Sequence, residues 1–324
     1  MNTYDVQQIM ERCLREKYLR LKRKFEEING IDTMRMIIME KYGSIWNKSG
    51  HPIDNDIYMD DDICTKISRE GKLDLLRYAH ENGCSWNERT CYLASSRGYL
   101  ECLKYLHKNG CPWNEITCHL AAGDGQLECL KYAHENGCHW DYHTCSEASF
   151  GGHLECLKYA HENGGHWDEI TCSSASRGGH LECLKYAHEN GCLWNEWTCH
   201  YAAGSGQLEC LKYAHDNGCP WNKYTCEVAT HNGHLECLRY AHENGCPWDR
   251  WTCTNASATG HLECLKYAHE NNCPWDKYTC SDASMGKHLE CLKYAVEQGC
   301  PTNIEECLRN ATGECKEYLE SLVR

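Results

Sequence analysis

The stretch GHLECLRYAHENGCPWDRWTCTNASATG, Gly233 to Gly260, decides how the chain is read. Its Leu235 belongs to a series with a 27-residue period: Leu73, Leu100, Leu127, Leu154, Leu181, Leu208, Leu235, Leu262 and Leu289. A tryptophan follows each of the first eight, at Trp86, Trp113, Trp140, Trp167, Trp194, Trp221, Trp248 and Trp275, and Thr302 holds the ninth place. Self-similarity at a fixed period of about 20–50 residues signals a stack of small units, because one such unit cannot bury its own apolar face.

Each unit reads as two short helices. Asp249 can cap the first by accepting backbone N–H groups of Trp251 or Thr252. That helix is expected to run to about Ser257, with Cys253, Ala256 and Ser257 at i, i+3 and i+4, and Gly260 stops it. A second helix is predicted to begin near His234. Leu235, Leu238, Ala241 and His242 then form one stripe, with Glu236, Arg239 and Glu243 opposite. Gly245 suits a left-handed cap, and Pro247 prevents the helix from resuming. The expected fold class is an all-α, helix-pair solenoid.

The flanks depart from the period. Residues 1–31 carry the apolar stripe Ile9, Met10, Cys13, Leu14, Leu21, Phe25 and Ile28, and read as an N-terminal helical cap. The basic cluster Arg15, Lys17, Arg20, Lys22, Arg23 and Lys24 in the same segment also fits a nuclear-localisation or anionic-partner patch. Residues 32–72 read as a degenerate first repeat, with Gly43 and Trp46 in register and a polar, acidic insertion after them. That insertion holds Asp54, Asp56, Asp60, Asp61 and Asp62 but lacks the spacing and glycine of a calcium loop. Residues 73–306 make nine units, and 307–324 a capping half-repeat with Cys307, Ala311, Gly313, Tyr318, Leu319 and Leu322. The blocks 119–199 and 200–280 match each other, as in HLAAGDGQ and HYAAGSGQ, which points to duplication.

Net charge is −14, and the acids are spread over the solvent faces rather than massed. An acidic array without a basic face argues against nucleic acid. With no leader sequence and no run of about 18 apolar residues, the expectation is a soluble, cytoplasmic monomer away from membranes.

Gly233, His234, Leu235, Glu236, Leu238, Gly245, Ala256 and Gly260 lie where ankyrin repeats carry the same residue types, and the pattern recurs from about residue 33 to 320. The unit resembles an ankyrin repeat in a short, Cys- and Trp-rich form similar to the arrays of giant DNA viruses and some protists. Ankyrin units run to about 33 residues, and the missing ones fall between Asp249 and Thr252, where ankyrins place a β-hairpin finger. The resemblance therefore implies ankyrin-like helix pairs with shortened, non-β loops. It also implies protein binding without catalysis or cofactor, to a host protein if the source is viral.

Cysteines form three columns, represented by Cys237, Cys246 and Cys253, and a histidine column runs from His80 to His269. The repeated Cys-x4-His-x3-Cys-x6-Cys set invites a second reading, a metal-loaded array holding zinc or iron–sulfur with a structural or redox role. Against it, Cys237 and His242 lie about 140° apart on a helix. Where columns lapse, Leu75, Gly165 and Val296 replace them, as suits a core of small hydrophobes. No Gly-rich phosphate loop, His-Glu metal motif or Gly-x-Ser-x-Gly occurs, and the Cys and His sets repeat identically, unlike an active site.

Columns that differ between copies are free of packing demands. The residue before the threonine varies as Ile116, His143, Ile170, Trp197, Tyr224, Trp251 and Tyr278, and a second variable group includes His119, His200 and Tyr201. Such a row reads either as interface anchors or as rings packed on the next unit's loop. As candidate partner-binding residues these ten define a loop and first-helix face.

Overall fold

The computed structural model describes residues 63–81 and 83–323, and every regular element among them is an α-helix. The expected N-terminal cap, the copy around Trp46 and the acidic insertion lie outside the described residues. The chain divides into two compact units, Met1–Ala121 with Glu128–Cys138, and Ala122–Leu127 with His139–Arg324.

In the first compact unit the described helices are Ile63–Arg69, Leu73–Glu81, Glu88–Ser96, Leu100–Lys108, and most of Glu115–Gly123 and of Leu127–Glu135. Ile63, Ile67, Leu76, Leu103 and Leu106 are fully buried in it. The Ser68 hydroxyl donates to Thr90 O at 2.9 Å and the Ser95 hydroxyl to Thr117 O at 3.0 Å, tying successive first helices together.

The second compact unit alternates first helices, such as Glu196–Gly204 and Arg250–Ala258, with second helices such as Leu208–Asp216 and Leu235–Glu243. It ends on Ile304–Asn310 and Gly313–Val323, where Leu319 is fully buried but Leu322, expected in the cap, stays 42% exposed. First helices pack on the next first helix more extensively than second helices pack on each other.

The first helix starts as its sequence dictates. The Trp251 N–H donates to Asp249 Oδ1 at 2.9 Å, and Asn195, Asn222 and Asp276 cap their helices in the same way. The second helix ends at Gly245, whose φ of +83° lets the Cys246 N–H reach Ala241 O at 2.9 Å. Asn272 holds Gly245's place one repeat on, at φ +64°, in keeping with the tolerance of asparagine for that region.

The core differs from the expected stripe. Cys237, Leu238 and Ala241 are buried, whereas Leu235 and His242 sit half-buried at its edges. The shift follows from the helix that Leu235–Glu243 packs on, Lys223–His231: Thr225, Cys226, Ala229 and Thr230 are all fully buried, and their small side chains let the two helices approach closely. Cysteines fill this interior as small hydrophobes that also donate weakly. The Cys273 thiol donates to Asp249 O at 3.3 Å and the Cys253 thiol to Cys273 O at 3.9 Å, and every described cysteine is a buried free thiol. Burial pushes the Cys237 thiol up to about 11, so it stays protonated.

Gly233 has a second duty. A Cβ there would lie 2.5 Å from Nδ1 of His261, whose ring rests on the glycine one repeat before it, and His288 rests likewise on Gly260. The following position is Lys287, at φ +65°, and there the residue in the ring's place is Cys315. A cavity of about 330 Å³ lined by Lys287, Thr312, Gly313, Glu314 and Cys315 occupies that corner.

Candidate protein-docking face

A first helix is buried through Thr252, Cys253, Ala256 and Ser257, so Trp251, Asn255 and Ala258, at i, i+4 and i+7, turn away from the core. In four consecutive repeats the first of these positions is a large ring left in water: Trp197 is 50% exposed, Tyr224 54%, Trp251 41% and Tyr278 41%. Ile170 is exposed ahead of them, and His143 is exposed with its ring 4.1 Å from that of Tyr142. These six and the pair His200–Tyr201 belong to the second compact unit. Ile116, exposed, and His119, half-buried, lie on one helix in the first.

Three of the four rings carry their own cation. Lys223 Nζ lies 5.4 Å over Tyr224, the Arg250 guanidinium 5.2 Å over Trp251, and Lys277 Nζ 5.2 Å over Tyr278. Each cation also pairs with an acid of the next repeat: Lys223 with Asp249 at 2.7 Å, Arg250 with Asp276 at 3.2 Å, and Lys277 with Glu306 at 3.4 Å. The rings are thereby held upright though solvated, which reduces the entropy lost when a partner covers them. Trp197 follows Glu196 instead and stands edge-on to His200 at 5.0 Å, with Tyr201 at 5.9 Å. Burial lowers the His200 pKa and keeps that ring neutral.

Sequence reasoning missed the ninth position of the first helix. Phe150 is 45% exposed there and Arg177 follows one repeat later, its guanidinium 5.6 Å over Phe150 and 5.7 Å over Tyr201. The signal was present, since this column runs Gly123, Phe150, Arg177, Gly204, His231, Ala258 and Met285 and varies as much as the ring column.

The fixed tryptophans serve a different purpose. Trp248 is half-buried, stacked on His242 with ring centres 3.8 Å apart and planes at 11°, and it meets Tyr267 of the next repeat edge-on at 6.4 Å. His242 Nδ1 and the Tyr267 hydroxyl share a hydrogen bond of 2.9 Å. The same three-ring bolt recurs, as in His188, Trp194 and Tyr213. In the ninth unit His and Trp are lost together, to Val296 and Thr302, as rings that stack on each other should be. The tryptophan column is half-buried: the indole lies over the end of its own second helix and closes the seam from outside. Histidines engaged in this way are turned to tyrosine rather than to thiols. Among the described residues no group of three or more His, Cys, Asp or Glu is placed to hold a metal ion.

These features define a class: stacked helix-pair repeats bolted by rings on one side and offering solvated aromatic residues on the other. Residues 171–215 and 226–276 match the family model described as ankyrin repeats in many copies, and over those residues the repeats are ankyrin repeats. The crystal structure of the human ASB11 ankyrin repeat domain is similar at 20% identity, covering 49% of this chain and 85% of that one, with a TM-score of 0.43. No curated protein matches the chain. Strands are absent from the described repeats, so the shortened loops take the place of β-hairpin fingers as the sequence suggested. No helix among the described residues is long and apolar enough to cross a membrane.

Proposed function

We propose that the chain is a non-catalytic scaffold or adaptor that binds a protein partner on the exposed face of its first helices. Ankyrin repeats generally mediate protein–protein interaction, and the family is typically non-enzymatic. The observation that carries the proposal is the row Trp197, Tyr224, Trp251 and Tyr278, four large rings each at least 41% exposed in consecutive repeats. Tryptophan, tyrosine and arginine dominate interface hot spots, and solvated rings held in place by their neighbours meet that description. His143, Ile170, His200 and Tyr201 extend that face, and Ile116 and His119 are the corresponding candidates in the first compact unit. The chain works as a monomer in the cytoplasm, a host's cytoplasm if the resemblance to viral arrays reflects its source.

Affinity capture with quantitative mass spectrometry tests the proposal, using the wild-type chain beside Trp197→Ala and Trp251→Ala. Partners held through this face should fall away from both variants while far-UV circular dichroism stays unchanged. A partner set identical in all three baits would place binding elsewhere.

A further inference from the structure

We propose that the docking face carries one dedicated carboxylate receptor, the Arg177 guanidinium, and that the partner segment it receives presents an Asp or Glu side chain flanked by a large apolar residue. The proposal rests on the interaction reading above and narrows the partner's chemistry.

Arg177 differs from the other cations of the face. Lys223, Arg250 and Lys277 are each committed to an acid of the following repeat, at 2.7, 3.2 and 3.4 Å. Among the described residues no carboxylate lies within ion-pair distance of Arg177, although the chain carries a net charge of −14, and the Arg177 side chain is exposed. It stands between rings from the repeats on either side, 5.6 Å from the Phe150 centroid and 5.7 Å from that of Tyr201. Rings on both sides restrict its rotamers and strip part of its hydration, while its N–H donors remain in the plane of the group. A pre-oriented guanidinium fork matches a carboxylate in two parallel hydrogen bonds, which a lysine could not reproduce.

The surroundings supply the rest of the pocket. Trp197 packs beside Tyr201 at 5.9 Å, and Ile170 lies in the first turn and Arg177 in the last turn of the helix Glu169–Gly178. Phe150 and Tyr201 flank the cation, and Ile170 and Trp197 add exposed apolar surface to the same run of helices, all four being at least 36% exposed. An acidic residue with a large apolar neighbour satisfies both parts, because the apolar side chain covers the rings and excludes water from the ion pair.

The test selects peptides from a displayed random library on the full-length protein, then measures affinities of the tightest synthetic peptide by fluorescence polarisation. Selected sequences should be enriched in Asp or Glu beside a large apolar residue. Arg177→Gln should weaken binding at least about tenfold, Asn or Gln in place of the peptide's acid should do the same, and Arg177→Lys should fall between. Added salt should weaken the wild type more than Arg177→Gln. Circular dichroism confirms that the exposed substitutions leave the fold intact. If Trp197→Ala weakens binding but Arg177→Gln does not, the carboxylate receptor is refuted and the docking face stands. If neither variant loses affinity, both readings fall. Failure to select any peptide that depends on Arg177 also overturns the proposal.

Discussion

Trp248→Ala and Trp251→Ala, three residues apart, should separate the packing side of the repeat from its binding side. A fully buried tryptophan covers about 150–250 Å². Trp248 buries the larger part of that against His242 and Tyr267, with centroid distances of 3.8 and 6.4 Å. At about 25 cal/mol per Å², reduced for contacts already made in the unfolded chain, the transfer loss is about 2 kcal/mol. Each of the two ring contacts adds about 0.5–1.5 kcal/mol, so the total is about 3–5 kcal/mol. Trp251, 41% exposed, has the Arg250 guanidinium of its own helix 5.2 Å over its ring, and a local contact of that kind persists in part on unfolding. Its replacement should cost under about 1 kcal/mol. Urea titrations followed by far-UV circular dichroism give both values. Partner affinity should show the reverse order, with Trp251→Ala losing roughly 2 kcal/mol or more. Equal destabilisation by the two substitutions would mean that the Trp251 row is packing, and the docking face would have to be abandoned.

Other outcomes follow from the same geometry. Tyr267→Phe removes the 2.9 Å hydrogen bond to His242 Nδ1 and should cost about 1 kcal/mol in urea titrations, a loss that vanishes in a His242→Ala background. Gly233→Ala should destabilise more than Gly245→Ala, because both have positive φ but only Gly233 has a ring 2.5 Å from the added Cβ; His261→Ala should narrow the difference. Burial lowers the pKa of His107, His134, His200 and His261 below the ordinary 6.5, so the folded state binds fewer protons than the unfolded one. Stability contributed by these neutral rings is therefore complete above about pH 6.5 and declines as pH falls below it, which urea midpoints at a series of pH values would show. Native alkylation with iodoacetamide at neutral pH should leave Cys183, Cys210, Cys237 and Cys264 unmodified, since burial holds each near 11, and all should react after denaturation.

Much of this architecture was legible in the period. A 27-residue repeat with capping Asp or Asn, Gly stops and two apolar stripes leaves helix pairs as the only compact solution, and each boundary is set by a local hydrogen bond or a positive φ that sequence reveals. The cysteines could be assigned to a core for a similar reason, because one helix turns Cys237 and His242 to different sides. The variable ring column was also readable, since packing leaves its mark as invariance and Trp197, Tyr224, Trp251 and Tyr278 lack it.

Tertiary structure decided what lies across the seam between repeats. Nothing local to His242 says that its ring covers Trp248 and meets a hydroxyl from Tyr267, 25 residues later, for that contact exists only once two units stack. The same stacking moves Leu235 to the edge of the core and requires Gly233 for a ring from the next unit. It also places Phe150 and Tyr201 on either side of Arg177. Periodicity fixes what each repeat is made of, because capping and burial patterns are short-range. Which side chains become partners depends on the spacing and rotation between repeats, which depend on how closely the small Thr, Cys, Ala and Ser faces let neighbouring helices approach.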